Sequence, residues 1–117
     1  MVSRPSKQKP VHVTDFQKKI KKIYELVSRV PKGKVTTYGA IAAKLSTSPR
    51  AVGQALKKNP FAPKVPCHRV ISSDGSIGGF KGRTRGKAIR EKIRLLKREG
   101  VSIRHGRVAE KNMSRKL

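Results

Sequence analysis

Thr37-Tyr38-Gly39-Ala40-Ile41-Ala42-Ala43-Lys44-Leu45-Ser46-Thr47-Ser48-Pro49-Arg50-Ala51-Val52-Gly53-Gln54-Ala55-Leu56-Lys57-Lys58 carries two short apolar stripes parted by a polar turn. Thr37 can cap a helix from Tyr38 to Leu45 with Ile41, Ala42 and Leu45 facing inward. Ser46-Thr47-Ser48 is a turn, and Ser48 caps a second helix that has Pro49 at its first position and runs to about Lys58. Val52, Ala55 and Leu56 are its stripe. Two short helices joined this way read as a helix-turn-helix with the second as recognition helix, or as a plain αα-hairpin. Two details favour the first. Arg50 stands in the first turn, where the helix dipole disfavours a cation, so helix stability does not explain it. Ala51 and Gly53 are small enough to let another backbone come close, as entry into a narrow minor groove requires.

Upstream, Thr14 and Gln17 form a capping box, and Phe16, Ile20, Ile23 and Val27 recur at helical spacing. The spacing predicts a helix over about 14–29, ended by Pro31-Lys32-Gly33-Lys34. Residues 1–13, rich in Pro, Lys and Ser, read as a loose basic arm. Val35-Thr36-Thr37 is β-prone but short. Downstream, Asn59-Pro60 closes the recognition helix, and a Pro-punctuated loop follows over 61–66. Val70-Ile71 and Ser76-Ile77 flank Ser-Asp-Gly, so Asp74-Gly75 reads as the tight turn of a small hairpin, the wing of a winged helix. Gly78 to Gly82 is flexible backbone. A last helix spans about Gly86 to Glu99, with Ile89, Ile93 and Leu96 on one face and Gly100 as its cap. The fold expected is mostly α: a winged-helix-like domain over 14–103, between the arm and a frayed basic tail over 104–117 with His105 on the surface.

The charge narrows the partners. Thirty Lys and Arg against six acids give a formal +24, far more than solubility needs. Nucleic acid is the expected partner, bound with strong salt dependence. Charge alone suits a ribosomal-type protein or a general nucleoid binder. With no Trp and 4% aromatics the core is aliphatic. No apolar run reaches membrane-spanning length and no signal peptide is visible, so a membrane role is not expected. A single cysteine excludes an internal disulfide and a multi-cysteine zinc site, and suits a reducing compartment, the cytoplasm (nucleoid-associated) or a nucleus.

That cysteine lies in Val65-Pro66-Cys67-His68-Arg69-Val70, beside one of three histidines. A thiol next to an imidazole can be a nucleophile with its base, or a structural cysteine whose neighbour points away. Pro66 makes a rigid corner before the thiol, and Arg69 adds positive charge that favours thiolate.

Pro66-Cys67-His68-Arg69-Val70 resembles the active-site motif of the O6-alkylguanine-DNA alkyltransferases, also called methylated-DNA–protein-cysteine methyltransferases. Five more blocks resemble the family in order and approximate spacing between about Thr14 and Val101: Thr37-Tyr38-Gly39, Pro49 to Gly53, Asn59-Pro60, Gly78-Gly79-Phe80 and Leu95 to Gly100. The resemblance implies a suicide DNA-repair protein, a monomer, that needs no metal or organic cofactor and acts on double-stranded DNA containing O6-alkylguanine. It implies minor-groove entry by the recognition helix, with Arg50 intercalating where the target nucleotide is flipped out. It gives Cys67 the role of alkyl acceptor, His68 that of its base, Glu99 that of orienting His68, and Tyr38 that of donor to guanine N3. Asn59 holds the active-site turn. Pro66, Val70, Gly79, Phe80 and Lys81 join Tyr38 and Cys67 around the base, with carbonyls of Cys67 and Val70 accepting from its amino group. Phe80 and Lys81 depart from the tyrosine and hydroxyl residue frequent there, and 83–87 resembles a short basic insertion. Glu99 read without the family is a solvated carboxylate paired with Arg98 or Lys97. The alternatives are a lesion-sensing protein without transfer, as in the alkyltransferase-like branch that carries tryptophan at the cysteine position, and a general winged-helix DNA binder.

Overall fold

The structure, a computed structural model, describes residues 14–114 and 117. The expected arm over 1–13 and the inward side chain of Phe16 lie outside what is described. Helix α1, Asp15–Ser28, begins where Thr14 Oγ1 accepts from Gln17 N at 3.1 Å while Gln17 Oε1 accepts from Thr14 N at 2.9 Å, the reciprocal capping box. Strand β1 is only Thr36–Thr37, and Thr37 is at once its end and the cap of α2, Tyr38–Leu45, accepting from Ala40 N at 2.9 Å. Ser46 turns left-handed at φ 54° to stop α2. Ser48 then accepts from Ala51 N at 3.0 Å to start α3, Pro49–Lys57. Every helix start in the first half of the chain thus has its orphan N–H groups met by the side chain that the sequence offers.

A 3₁₀ turn over Cys67–Arg69 leads into strand β2, Val70–Ile71. Helix α4 spans Lys87–Arg98. Strands β3, Ile103–Arg104, and β4, Arg107–Val108, precede a 3₁₀ turn over Glu110–Asn112.

Two apolar clusters hold these elements. The first locks α1, α2 and α3 together through Val27, Ile41 and Val52, all fully buried. The second gathers Val35, Ile71, Ile77, Leu96, Val101 and Val108 around α4. Each such side chain contributes about 1.5–3 kcal/mol on leaving water. Between them β1 and β2 pair in parallel, Thr36 with Val70 and Thr37 with Ile71. Side chains of successive strand residues alternate in direction, so Val70 enters the first cluster and Ile71 the second. The two residues following the cysteine turn therefore tie it to both halves of the core.

The mostly α, helix-turn-helix architecture is as expected; the strand partners are not. The Ser72–Gly75 turn closes, with Gly75 N donating to Ser72 O at 2.9 Å and Ser72 N to Ser76 O at 3.0 Å. Yet Val70-Ile71 pairs with β1 rather than with Ser76-Ile77. The antiparallel hairpin is β3–β4, with Ile103 facing Val108 and Arg104 facing Arg107. The frayed tail expected from residue 104 is folded through 113. Val108 is buried in the second cluster, and buried Asn112 donates to Gly33 O at 2.9 Å and accepts from Ser102 N at 3.0 Å. His105 is exposed at the hairpin tip, as expected. No described helix is long and apolar enough to cross a membrane.

Candidate active site

The loop between α3 and the 3₁₀ turn is bracketed by one side chain. Asn59 Nδ2 donates to Val65 O at 2.8 Å, and its Oδ1 accepts from Phe61 N at 2.9 Å. Cys67 N then donates to Val65 O at 2.8 Å and Arg69 N to Pro66 O at 2.9 Å, which curls the backbone so that Cys67, half-buried, begins the turn with a free thiol. His68, 6% exposed, points back toward the end of α4, with Nε2 at 3.0 Å from Glu99 Oε2. Nδ1 is the ring nitrogen left for other partners.

Glu99 has a second partner that the sequence reading missed. Arg69 donates to it through Nε at 2.9 Å and Nη2 at 2.8 Å, a two-pronged grip, while Nη1 donates to Val30 O at 2.8 Å. The expected pairing of Glu99 with Arg98 or Lys97 is absent, and Arg69 serves the carboxylate rather than standing as a free charge beside the sulfur. Burial opposes ionisation of Glu99, but hydrogen bonds from Arg69 and His68 outweigh it and hold its carboxyl below the ordinary range. The one signal available in sequence was a cation two residues past the cysteine, without its direction.

A cavity of about 440 Å³ opens in front of the thiol, lined among others by Tyr38, Arg50, Gly53, Cys67, Gly79, Phe80 and Lys81. Residues from α2, α3, the cysteine turn and the glycine loop converge there from four places in the chain. The Tyr38 hydroxyl donates to Gly79 O at 3.2 Å. Burial, and then the negative charge that Cys67 can carry, push the Tyr38 phenol up to about 12, so it stays protonated and a donor at neutral pH. Arg50 makes no ion pair or side-chain hydrogen bond among the described residues, and a Cβ built on Gly53 meets no atom within 4 Å. Both therefore face space that something else can fill. Gly78, at φ +72°, could not be replaced simply: a Cβ there would come within 2.8 Å of Ser72 Oγ.

Not every residue expected around the base reaches this cavity. Pro66 and Val70 do not line it. Asn59, expected to hold the turn, brackets the loop. Val70 is fully buried, and its carbonyl accepts from Lys92 Nζ at 2.8 Å; the Cys67 carbonyl accepts from Val70 N. Both oxygens expected to face the base thus already have one donor. Phe80 is buried, and Lys81, left-handed at φ 54°, turns its ammonium to Glu91 at 3.1 Å and toward the Phe80 ring at 5.3 Å. A second recess, of about 390 Å³, touches the other side of Cys67 and His68, with Phe80 and Lys81 forming the wall between the two.

Lys92, which nothing in the sequence singled out, is fully buried. Its ammonium donates to the carbonyls of Val70 at 2.8 Å, Ile77 at 2.6 Å and Gly79 at 2.8 Å, and lies 5.9 Å from the centroid of the Tyr38 ring. Three acceptors match the three N–H bonds of an ammonium. Burial nevertheless draws Lys92 down to about 7, against which the charge of Cys67 acts in the other direction. One side chain thereby joins the strand after the cysteine to the loop that lines the cavity.

The chain is similar to known proteins. Residues 15–101 match the sequence model of the 6-O-methylguanine DNA methyltransferase, DNA binding domain. The methylated-DNA–protein-cysteine methyltransferase of Methanothermobacter thermautotrophicus is 42% identical over 90 residues, 77% of this chain and 47% of the relative. That of Thermococcus kodakarensis is 50% identical over 90 residues, 76% of this chain and 47% of the relative. The chain thus spans about half the length of these curated relatives. The crystal structure of O6-methylguanine-DNA methyltransferase from Pyrococcus kodakaraensis strain KOD1 superposes with a TM-score of 0.61 at 49% identity, covering 76% of this chain and 48% of that one. S. pombe Atl1, solved with damaged DNA containing O6-carboxymethylguanine, superposes with a TM-score of 0.72 at 33% identity, covering 85% of this chain and 96% of that one. On the match over residues 15–101, this chain belongs to the family of the 6-O-methylguanine DNA methyltransferase DNA-binding domain.

Proposed function

We propose that this protein repairs DNA by transferring the alkyl group of O6-alkylguanine irreversibly to its own Cys67. The observation that carries the reading is a free thiol at the wall of a base-sized cavity, next to a histidine held by a carboxylate. His68, oriented through Nε2 by Glu99, uses Nδ1 to take the Cys67 proton, directly or through a water, and Glu99 stabilises the imidazolium. The sulfur attacks the alkyl carbon in line with the C–O6 bond. The S–C bond forms as C–O6 breaks, and the bond pair passes into the guanine. The Tyr38 phenol donates toward N3, where that charge accumulates. The thioether is too stable to turn over, so each molecule acts once.

The lesion lies inside a duplex, so the nucleotide has to be extruded. Arg50, unpaired at the start of α3, is suited to fill the space it leaves, and the bare surface at Gly53 suits close approach to a groove wall. Double-stranded DNA is the partner, met by a monomer in the cytoplasm or, in a nucleated cell, the nucleus. The 96% coverage of S. pombe Atl1, solved with damaged DNA, keeps a lesion-sensing role as the second reading.

Intact-protein mass spectrometry after mixing with a duplex holding one O6-methylguanine tests the proposal. One added methyl on Cys67, absent from Cys67→Ala, is expected. Lesion-selective binding without a mass change leaves the sensor; neither leaves a general DNA binder.

A further inference from the structure

The β3–β4 hairpin lies beyond residue 101, where the match to the family's domain ends, and it is hydrogen-bonded to the segment over 74–77 rather than hanging free. Ile77 N donates to Gly106 O at 3.0 Å and Val108 N to Gly75 O at 2.9 Å, and Ser76 bridges to Arg107. The Arg107 guanidinium donates to Asp74 O. The same turn reaches the start of α2, where Gly39 N donates to Ser73 Oγ at 3.2 Å, one residue from the cavity residue Tyr38. The hairpin is therefore held at a fixed offset from the cavity through a chain of backbone and side-chain bonds. It presents Arg104, His105 and Arg107 outward, and the Arg104 side chain has no partner among the described residues. Two acids lie on this face beside Arg107: Asp74, whose carboxylate accepts from Ser76 N at 2.9 Å and Oγ at 2.7 Å and also feels the Arg107 charge, and Glu110.

We propose that the β3–β4 hairpin is a second DNA contact, with Arg104 and Arg107 gripping backbone phosphates on the flank of the site that the helix-turn-helix occupies. This rests on the reading of DNA as partner. Cations fixed on a rigid strand pair neutralise phosphates without the ordering cost that a floppy tail incurs, and each neutralised phosphate releases condensed counterions.

The test is fluorescence anisotropy of the full chain with an undamaged labelled duplex across a salt series, together with hydroxyl-radical footprinting. Arg104→Gln is expected to lower the slope of log Kd against log salt by about one, and to shorten the footprint at one edge only. Arg104→Lys restores the slope. Rates of methyl transfer from free O6-methylguanine base, which offers no phosphates, stay as in the parent. An unchanged slope and footprint in Arg104→Gln overturn the proposal, as does an equal loss in Lys18→Gln on the outer face of α1. A parent protein that shows the slope change but no methyl transfer keeps the hairpin and defeats the repair reading instead.

Discussion

Glu99 at the end of α4 and Arg69 in the cysteine turn are 30 residues apart in sequence and share a two-pronged contact at 2.8–2.9 Å, on the same carboxylate that His68 meets at 3.0 Å. A carboxylate at a helix C-terminus is opposed by the dipole. Arg69 and His68 together offset that cost, so the end of α4 is bound to the turn that carries the thiol. The contact gives Glu99→Gln two expected effects. Methyl transfer slows about tenfold or more, because the imidazolium loses its stabilising charge. The fold loses about 1–3 kcal/mol, because the carboxylate charge is lost and an amide NH2 replaces one of the two acceptor oxygens that Arg69 and His68 share. Single-turnover rates and chemical denaturation measure the two separately.

The same carboxylate sets an acid limit. Its folded value lies below the ordinary 4.5, so its stabilisation is fully present above about 4.5 and is lost as pH falls through the folded value. Melting temperatures of the parent should drop more steeply below pH 4.5 than those of Glu99→Gln. Parallel curves would contradict this.

Lys92 gives a slope of the same sign in the alkaline range, for the opposite reason: the fold disfavours its charge. Its value falls from 10.5 to about 7, so between those limits the unfolded chain holds more protons and stability rises with pH. The rise should vanish in Lys92→Met. At pH 7 that variant has two opposed effects, the relief of a buried charge and the loss of donors to three carbonyls. The loop over 77–79 loses its tether, and the cavity should lose its shape. Transfer is expected to fall at least tenfold even where the melting temperature holds, with hydrogen exchange at Gly79 accelerated.

Asn59→Ala removes both bonds that bracket the loop before the thiol, while Val65 O keeps its bond from Cys67 N and exposed Phe61 N turns to water. A loss of about 0.5–1.5 kcal/mol follows from the lost side-chain bonds. If the bracket places the thiol, the rate falls further than stability requires, which transfer assays at a temperature well below the melting point would resolve.

Arg50→Ala bears on extrusion. Loss of a phosphate contact would weaken binding to damaged and undamaged duplexes alike and lower the salt slope by about one. Loss of an intercalating side chain would leave the slope nearly unchanged and slow transfer from duplex while sparing transfer from the free base. The second pattern is expected, because Arg50 borders the cavity itself.

What the sequence alone determined is local. Capping boxes, Pro49 at a helix start and apolar stripes act within a few residues, so α2 is predicted residue for residue and α1, α3 and α4 to within about a turn. The grouping of Tyr38, Arg50, Cys67, His68, Phe80 and Glu99 came from the family resemblance carried by the ordered blocks. Tertiary structure decided everything that depends on direction across long separations. Lys92 reads as one more cation on a basic helix, and only packing buries it against three carbonyls from other elements. Arg69 could have faced the sulfur, and the distant end of α4 captures it. Val70-Ile71 could pair with Ser76-Ile77 through a good turn, but pairing with Thr36-Thr37 places Val70 and Ile71 in two cores at once, and burial outweighs the local hairpin. The same burial, of Val108 and Asn112, folds a stretch whose basic composition alone suggests a tail.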